Sequence, residues 1–216
     1  MIRFPKKIKI GGYTIPIKMV DEFKEEPELL GLFNQNRVTI TLKQYNTKTE
    51  KRASQAICEN LIHESIHAID MIYNQTSLEE VTVYKLSKML YDVLVHNDLK
   101  LNCDEFPKYI DVAGSIILIK YPYVFEDTVE DFLYRFDEES QELRLAKEYD
   151  NISMSKQKTK SLLIKGIISS LLITNFFDDE EFEDSQLGSI SEGVYQFLKD
   201  NNINELARRC YDERIM

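Results

Sequence analysis

Tryptophan is absent from these 216 residues, and glycine (seven), proline (five), cysteine (three) and histidine (three) are all scarce. Each scarcity excludes something. So few glycines and prolines rule out a collagen-like or low-complexity chain. Cys58, Cys103 and Cys210 are odd in number, far apart and in no CxxC pair, which excludes a disulfide framework and leaves reduced, partly buried thiols as the expectation. The longest apolar run, Leu162 to Ile173, has only about a dozen residues and contains Lys165, whereas a membrane span needs about 20. The N-terminal Met-Ile-Arg-Phe-Pro lacks the apolar core of a signal peptide, so the cytoplasm is the expected location.

An excess of basic residues is also missing. The formal net charge is −10, and it is uneven: residues 1–102 hold 14 Lys+Arg against 13 Asp+Glu, whereas residues 103–216 hold 13 against 24. A chain with one acidic half is poorly suited to general nucleic-acid binding, which depends on basic patches that release counterions. What remains, 43% hydrophobic and 30% charged residues, is the composition of a folded globular protein.

The chain repeats itself. Phe4-Pro5-Lys6-Lys7-Ile8-Lys9-Ile10-Gly11-Gly12 is echoed by Phe106-Pro107-Lys108-Tyr109-Ile110-Asp111-Val112-Ala113-Gly114. At the same offset Ile15, Ile17 and Lys18 fall on Ile117, Ile119 and Lys120, and Leu61-Ile62 and Ile66 fall on Leu163-Ile164 and Ile168. Leu86-Ser87, Leu90-Tyr91 and Leu94 match Ile190-Ser191, Val194-Tyr195 and Leu198 after a drift of two. Order and spacing persist over about 100 residues, which implies duplication. The expected domains are residues 1–102 and 103–216.

Each copy reads as α+β. Alternating apolar residues around a Gly-Gly turn (Ile8, Ile10, then Ile15, Ile17) predict a β-hairpin, and Val38-Thr39-Ile40-Thr41-Leu42 predicts a third strand. Thr47-Lys48-Thr49-Glu50 has the form of a capping box and predicts a helix from there to about Tyr73. After a short polar loop a second helix should run to about Asn97. The expected unit is a three-stranded sheet carrying an antiparallel pair of helices, twice over.

Two of the three histidines stand in His63-Glu64-Ser65-Ile66-His67. On a helix, residues four apart share a face, so His63 and His67 aim two imidazoles at one ion while Glu64, about 100° round, reaches a water bound to it. That is the chemistry of a zinc hydrolase: the ion acidifies the water and the glutamate takes its proton. A third ligand is needed, and Glu80, Glu79 and Asp70 compete. Glu79 and Glu80 open the second helix and return towards the histidines, although Thr76-Ser77-Leu78-Glu79-Glu80 holds two overlapping capping boxes that would use either as a cap. Asp70, at i+7 from His63, is better placed for a hydrogen bond behind the ligands. His96 reads as a surface histidine.

The run from Ile8-Lys9-Ile10-Gly11-Gly12 through Gly31-Leu32-Phe33, Val38-Thr39-Ile40, the HExxH and Glu80-Val81-Thr82-Val83-Tyr84-Lys85-Leu86 resembles the minimal gluzincin-type metallopeptidase domains often encoded by phages. The resemblance covers residues 4–100. It implies zinc, Glu80 as third ligand from the match of Val83 and Leu86, Glu64 as general base, and peptide-bond hydrolysis in a bacterial or phage-infected cell. It also suggests that the Val38–Leu42 strand is the edge along which an extended peptide pairs. Tyr84, one turn beyond Glu80, reads as a core or surface tyrosine before it reads as a group that stabilises the oxyanion. Ser65 departs from the family's bulky apolar residue.

In the second copy His63, Glu64 and His67 become Lys165, Gly166 and Ser169, so that half cannot bind zinc the same way. Its acidic runs, Asp137–Glu139 and Asp178–Glu181, read as solvated loops or as a surface docking a basic protein partner. The competing expectation is therefore a non-catalytic zinc-binding protein that works through its acidic half.

Overall fold

The computed structural model describes residues 2–102, 105–125, 133–149, 152–174 and 184–215. Cys103 and the acidic run Asp178–Glu181 lie outside the described residues. Among these residues the fold is α+β, with five helices and mixed sheets. Among the described residues no helix is long and apolar enough to cross a membrane.

The predicted hairpin is present. Strands β1 (Lys7–Ile10) and β2 (Tyr13–Val20) are joined by Gly11 and Gly12 at φ +54° and +84°. Two successive positive φ values make the mirror-image turn whose twist suits a hairpin. Ile8, Ile10, Ile15 and Ile17 alternate into the core. The sheet has four strands, however, not three. A short strand, β3 (Gly31–Asn34), pairs antiparallel with β4 (Thr39–Lys43), which in turn lies parallel to β2, giving the order β1-β2-β4-β3. The strand expected at Val38–Leu42 is therefore interior. Val38 itself stands outside it at φ +47°, and the free edge belongs to β3.

Helix α1 (Ser54–Tyr73) starts later than the Thr47–Glu50 signal suggested. Thr47 Oγ1 does accept from the Glu50 amide, but the chain then turns back: Lys51 bridges Tyr45, and the Arg52 amide donates to the Gln44 carbonyl. The buried Arg52 guanidinium ties the three pieces together, donating to the carbonyls of Leu30, Lys43 and Ala56 and to Asn60 Oδ1. Helix α2 (Glu80–His96) follows as predicted.

The second half repeats the arrangement. Strands β5 (Tyr109–Val112), β6 (Ser115–Tyr123), β7 (Tyr134–Asp137) and β8 (Glu142–Ala146) form a sheet of order β5-β6-β8-β7. Its hairpin has the register of the first, Ile110 opposite Ile117 as Ile8 is opposite Ile15. A two-stranded hairpin, β9 (Glu148–Tyr149) with β10 (Ile152–Ser153), precedes α3 (Lys156–Thr174) and α4 (Asp184–Asn201). A further helix, α5 (Ile203–Ile215), packs on α1 and α2 and has no counterpart in the first half.

The helices cross between the halves. Helix α1 covers β3 and β4 of its own sheet, but β1 is covered by α4; reciprocally α3 covers β7 and β8 while α2 packs on β5. A matched pair of clamps pins the exchange. Asn97, at the end of α2, accepts from the Asp111 amide (2.8 Å) and donates to the Asp111 carbonyl (2.7 Å). Asn201, at the end of α4, does the same with Lys9 (2.7 and 2.8 Å). Gly193 lets α4 approach α1, since a Cβ there would come within 2.4 Å of Ile69. Side chains from both halves join in one hydrophobic cluster, among them Ile8, Ile69, Ile110, Val194 and Phe197.

Candidate metal centre

Helix α1 buries Leu61, Ile62, Ile66 and Ile69 and turns His63 and His67 towards a cleft. The two Nε2 atoms stand 3.2 Å apart. Glu80, the first residue of α2, reaches both: its Oε1 lies 3.1 Å from His63 Nε2 and its Oε2 3.1 Å from His67 Nε2. Tetrahedral ligands at zinc distances of about 2.05 Å are about 3.3 Å from one another. The two nitrogens stand at about that spacing with a carboxylate oxygen beside each, so the group could hold one ion, and two imidazoles with a carboxylate are a donor set that suits zinc.

The three competitors for the third position separate cleanly. Glu80 joins the histidines, and these three are the group of potential ligands found together among the described residues. Glu79 is the exposed residue before α2, where only its backbone carbonyl is used, accepting from Thr82 and Val83. Asp70 is buried and serves the turn between the helices: it accepts from the Ser77 and Leu78 amides and from Asn74 Nδ2. Neither glutamate closes a capping bond, which leaves the Glu80 carboxylate for the imidazoles. His96 is paired with Asp92 on the surface, as expected of it.

Protons are arranged to leave the Nε2 lone pairs available. His63 Nδ1 lies 3.4 Å from Ser87 Oγ, which itself donates to the Tyr84 carbonyl at 2.9 Å. With the hydroxyl's proton so used, its oxygen is placed to accept from Nδ1–H, the arrangement that would leave Nε2 free for an ion. Burial, and then the neighbouring His67, hold the His63 imidazolium below its ordinary range, against the pull of Glu80. Sequence reasoning missed Ser87. Its signal was available, seven residues after Glu80 and so on the same face of α2.

Glu64 lies under the cleft, 6% exposed. Burial pushes its carboxyl up to about 7, against a hydrogen bond from the Phe33 amide, with Glu80 adding repulsion. It reaches this place because residue 31 has no side chain: a Cβ on Gly31 would fall 2.5 Å from Glu64 Oε1. Gly31 and the strand that carries it were not read as part of the site. The cleft, about 570 Å³, runs between β3 and the two helices, with Tyr84 at its rim. Ser65 is fully buried and donates to the Leu61 carbonyl within its own helix.

The equivalent place in the second half is also a cleft, about 940 Å³, lined by β7, α3 and α4. Tyr134 occupies the position of Gly31, and the Lys165 ammonium lies over its ring, 5.0 Å from the centroid. Gly166 has taken the place of the glutamate, and a Cβ there would meet the Leu143 side chain at 2.4 Å. Cys58 on α1 and Cys210 on α5 are buried free thiols. Comparison of the chain with protein-family models, with curated proteins and with solved structures found no match.

Proposed function

We propose that this protein is a zinc-dependent peptidase of the gluzincin kind, built on a duplicated zincin-like unit whose second copy has lost the metal. The convergence of His63 Nε2, His67 Nε2 and both oxygens of Glu80, with the buried Glu64 carboxyl next to them on the same helix, carries the reading. The common strand order, the common hairpin register and the reciprocal asparagine clamps support the duplication.

His63, His67 and Glu80 would hold the ion, which when bound supplies a Lewis acid that brings the pKa of a coordinated water towards about 7. Ser87 keeps the His63 ring in the ligating tautomer. Glu64, with its own carboxyl near 7, is matched to accept a proton from that water and to return it to the departing amine. The exposed edge of β3 passes the cleft and offers backbone groups to an extended substrate. This moves the substrate-pairing role from Val38–Leu42 to Gly31–Asn34.

The test is Glu64→Gln in protein of known zinc content. Zinc and fold should be kept, while hydrolysis of a peptide library falls by about 10²–10⁴-fold, the usual loss of a general base. A variant as active as the parent would defeat the peptidase reading. Zinc in both proteins with hydrolysis in neither would favour the interaction protein instead.

A further inference from the structure

We propose that Asn60 is a substrate-binding residue of the first cleft, its side-chain amide donating to a neutral carbonyl of the bound peptide close to the scissile bond. The proposal rests on the peptidase reading and adds a contact that reading does not use.

Asn60 lines the cleft with His63, Glu64 and His67, and helical spacing puts it there. At 100° per residue these four positions fall within about 100° of one another round α1. Asn60 stands one turn, about 5 Å, before the first histidine and Glu64, a distance that an extended chain covers in about two residues. Its amide is held in one orientation. The Oδ1 accepts from Arg52 Nη2, and a guanidinium has only donors to give, so the oxygen faces Arg52 and Nδ2 is turned away from it. Arg52 is fixed in turn, buried and donating to the carbonyls of Leu30, Lys43 and Ala56. One guanidinium thus ties the amide to the residue before β3, the strand whose free edge passes the cleft.

The amide nitrogen has no such use. Asn74, Asn97 and Asn201 each spend Nδ2 on the protein, whereas among the described residues Asn60 Nδ2 donates to no group. Its two N–H groups, on a half-buried side chain, are left for whatever fills the cleft. The second half supplies an internal control. At the offset that aligns Leu61-Ile62 with Leu163-Ile164, Asn60 falls on Leu162 and Arg52 on Met154. The local frame is kept: Ser54 and Lys156 open their helices at that same offset, and the Met154 amide donates to the Lys147 carbonyl much as the Arg52 amide donates to that of Gln44. A pair that only joined helix to sheet would be wanted in both halves. This one is present where the histidines and Glu64 are present, and absent where they are absent.

The lining selects the acceptor. Among the described residues it includes Glu28, Glu64 and Glu80 and no lysine or arginine, a setting that repels a carboxylate. With Oδ1 taken, Asn60 offers donors alone, and a peptide carbonyl is the neutral acceptor that every extended substrate carries.

The experiment uses the full-length, zinc-loaded chain and the library peptide that the parent cleaves fastest. Asn60→Asp keeps an acceptor for Arg52 but has no N–H to give, so fold and zinc content should be unchanged. KM should rise about tenfold, the weight of one hydrogen bond, with kcat nearly constant, because a contact made equally in ground and transition states appears in KM. The same peptide, fluorescein-labelled, should show the same loss as a rise in Kd when Asn60→Asp is added to the Glu64→Gln chain, which does not turn it over. If the aspartate variant melts early or loses zinc, Asn60→Ala should still raise KM severalfold. A parent that cleaves nothing in the library removes the peptidase reading and this proposal together. An active parent whose KM and Kd are unchanged in whichever variant folds overturns this proposal alone, as does a loss confined to kcat.

Discussion

The two clefts share strands, register and helices, yet their packing is solved in opposite ways. In the first, the strand gives way to the helix: Gly31 has no side chain so that Glu64 can lie under the imidazoles. In the second, the helix gives way to the strand: Gly166 is flat where Leu143 presses in, and Tyr134 fills the place of Gly31. Volume has been moved from one side of the interface to the other rather than removed, as a close-packed interior requires. The contrast teaches that the scaffold does not need the histidine cluster. The second sheet and its helices stand with Lys165 where the first has His63.

Copying the second half into the first breaks the comparison most completely. His63→Lys places an ammonium among the ligands, and zinc content measured by atomic absorption should fall from one equivalent to none, with any hydrolysis lost. A helix that still binds a full equivalent would show that the metal is held elsewhere.

The next effect concerns acid–base balance and is seen only without metal. Glu64 has an ordinary carboxyl pKa in the unfolded chain and one of about 7 in the fold. Between about pH 4.5 and 7 the folded state therefore holds a proton that the unfolded state has released, so stability falls as pH rises through that window, by up to roughly 3 kcal/mol. His63, with its pKa lowered by burial, works the other way, its stabilisation growing as pH rises towards 6.5. Urea unfolding in chelator, with Glu64→Gln as reference, isolates the first slope. Parallel stability curves for the two proteins would contradict the buried, protonated Glu64.

Gly31→Ala is smaller and sharper. The added methyl meets the Glu64 carboxylate first, so kcat/KM should drop by about 10- to 100-fold, a misplacement penalty, at unchanged zinc stoichiometry. Loss of zinc along with activity would mean that the strand supports the ligands and not the base.

The smallest effect compares the clamps. Asn97→Ala removes three hydrogen bonds from an 8% exposed side chain and should cost about 2 kcal/mol in urea unfolding; Asn201→Ala, in a more open place, should cost about 1. Equal costs would deny that burial sets the difference.

The site was far more legible than its surroundings. HExxH is a statement about helical spacing, and helical spacing is local, so His63 and His67 could be placed on one face from the sequence, with Glu64 about 100° round. Glu80 needed only a short loop and a second helix. The strand β3 was missed because it turns a single residue, Phe33, into the core, too few for an alternating pattern to register. Gly31 was missed for a related reason: a missing side chain has meaning only beside the group that uses the space. The Thr47–Glu50 signal is a real hydrogen bond that closes a turn and not a helix. The crossing of α2 and α4 was invisible because an apolar face announces that it will be buried, not which sheet will bury it.

That crossing also sets a schedule. The face of β1 waits for α4, whose first residue is number 184, so the first hairpin cannot be fully covered until α4 has been made. At about 5–20 residues per second of synthesis, the metal helix emerges about 6–25 s before the helix that packs against it. During that interval the two histidines and the third ligand can already be close together, but the floor beneath them is unfinished. Closure of the packing around α1 thereby waits on a helix made more than a hundred residues later.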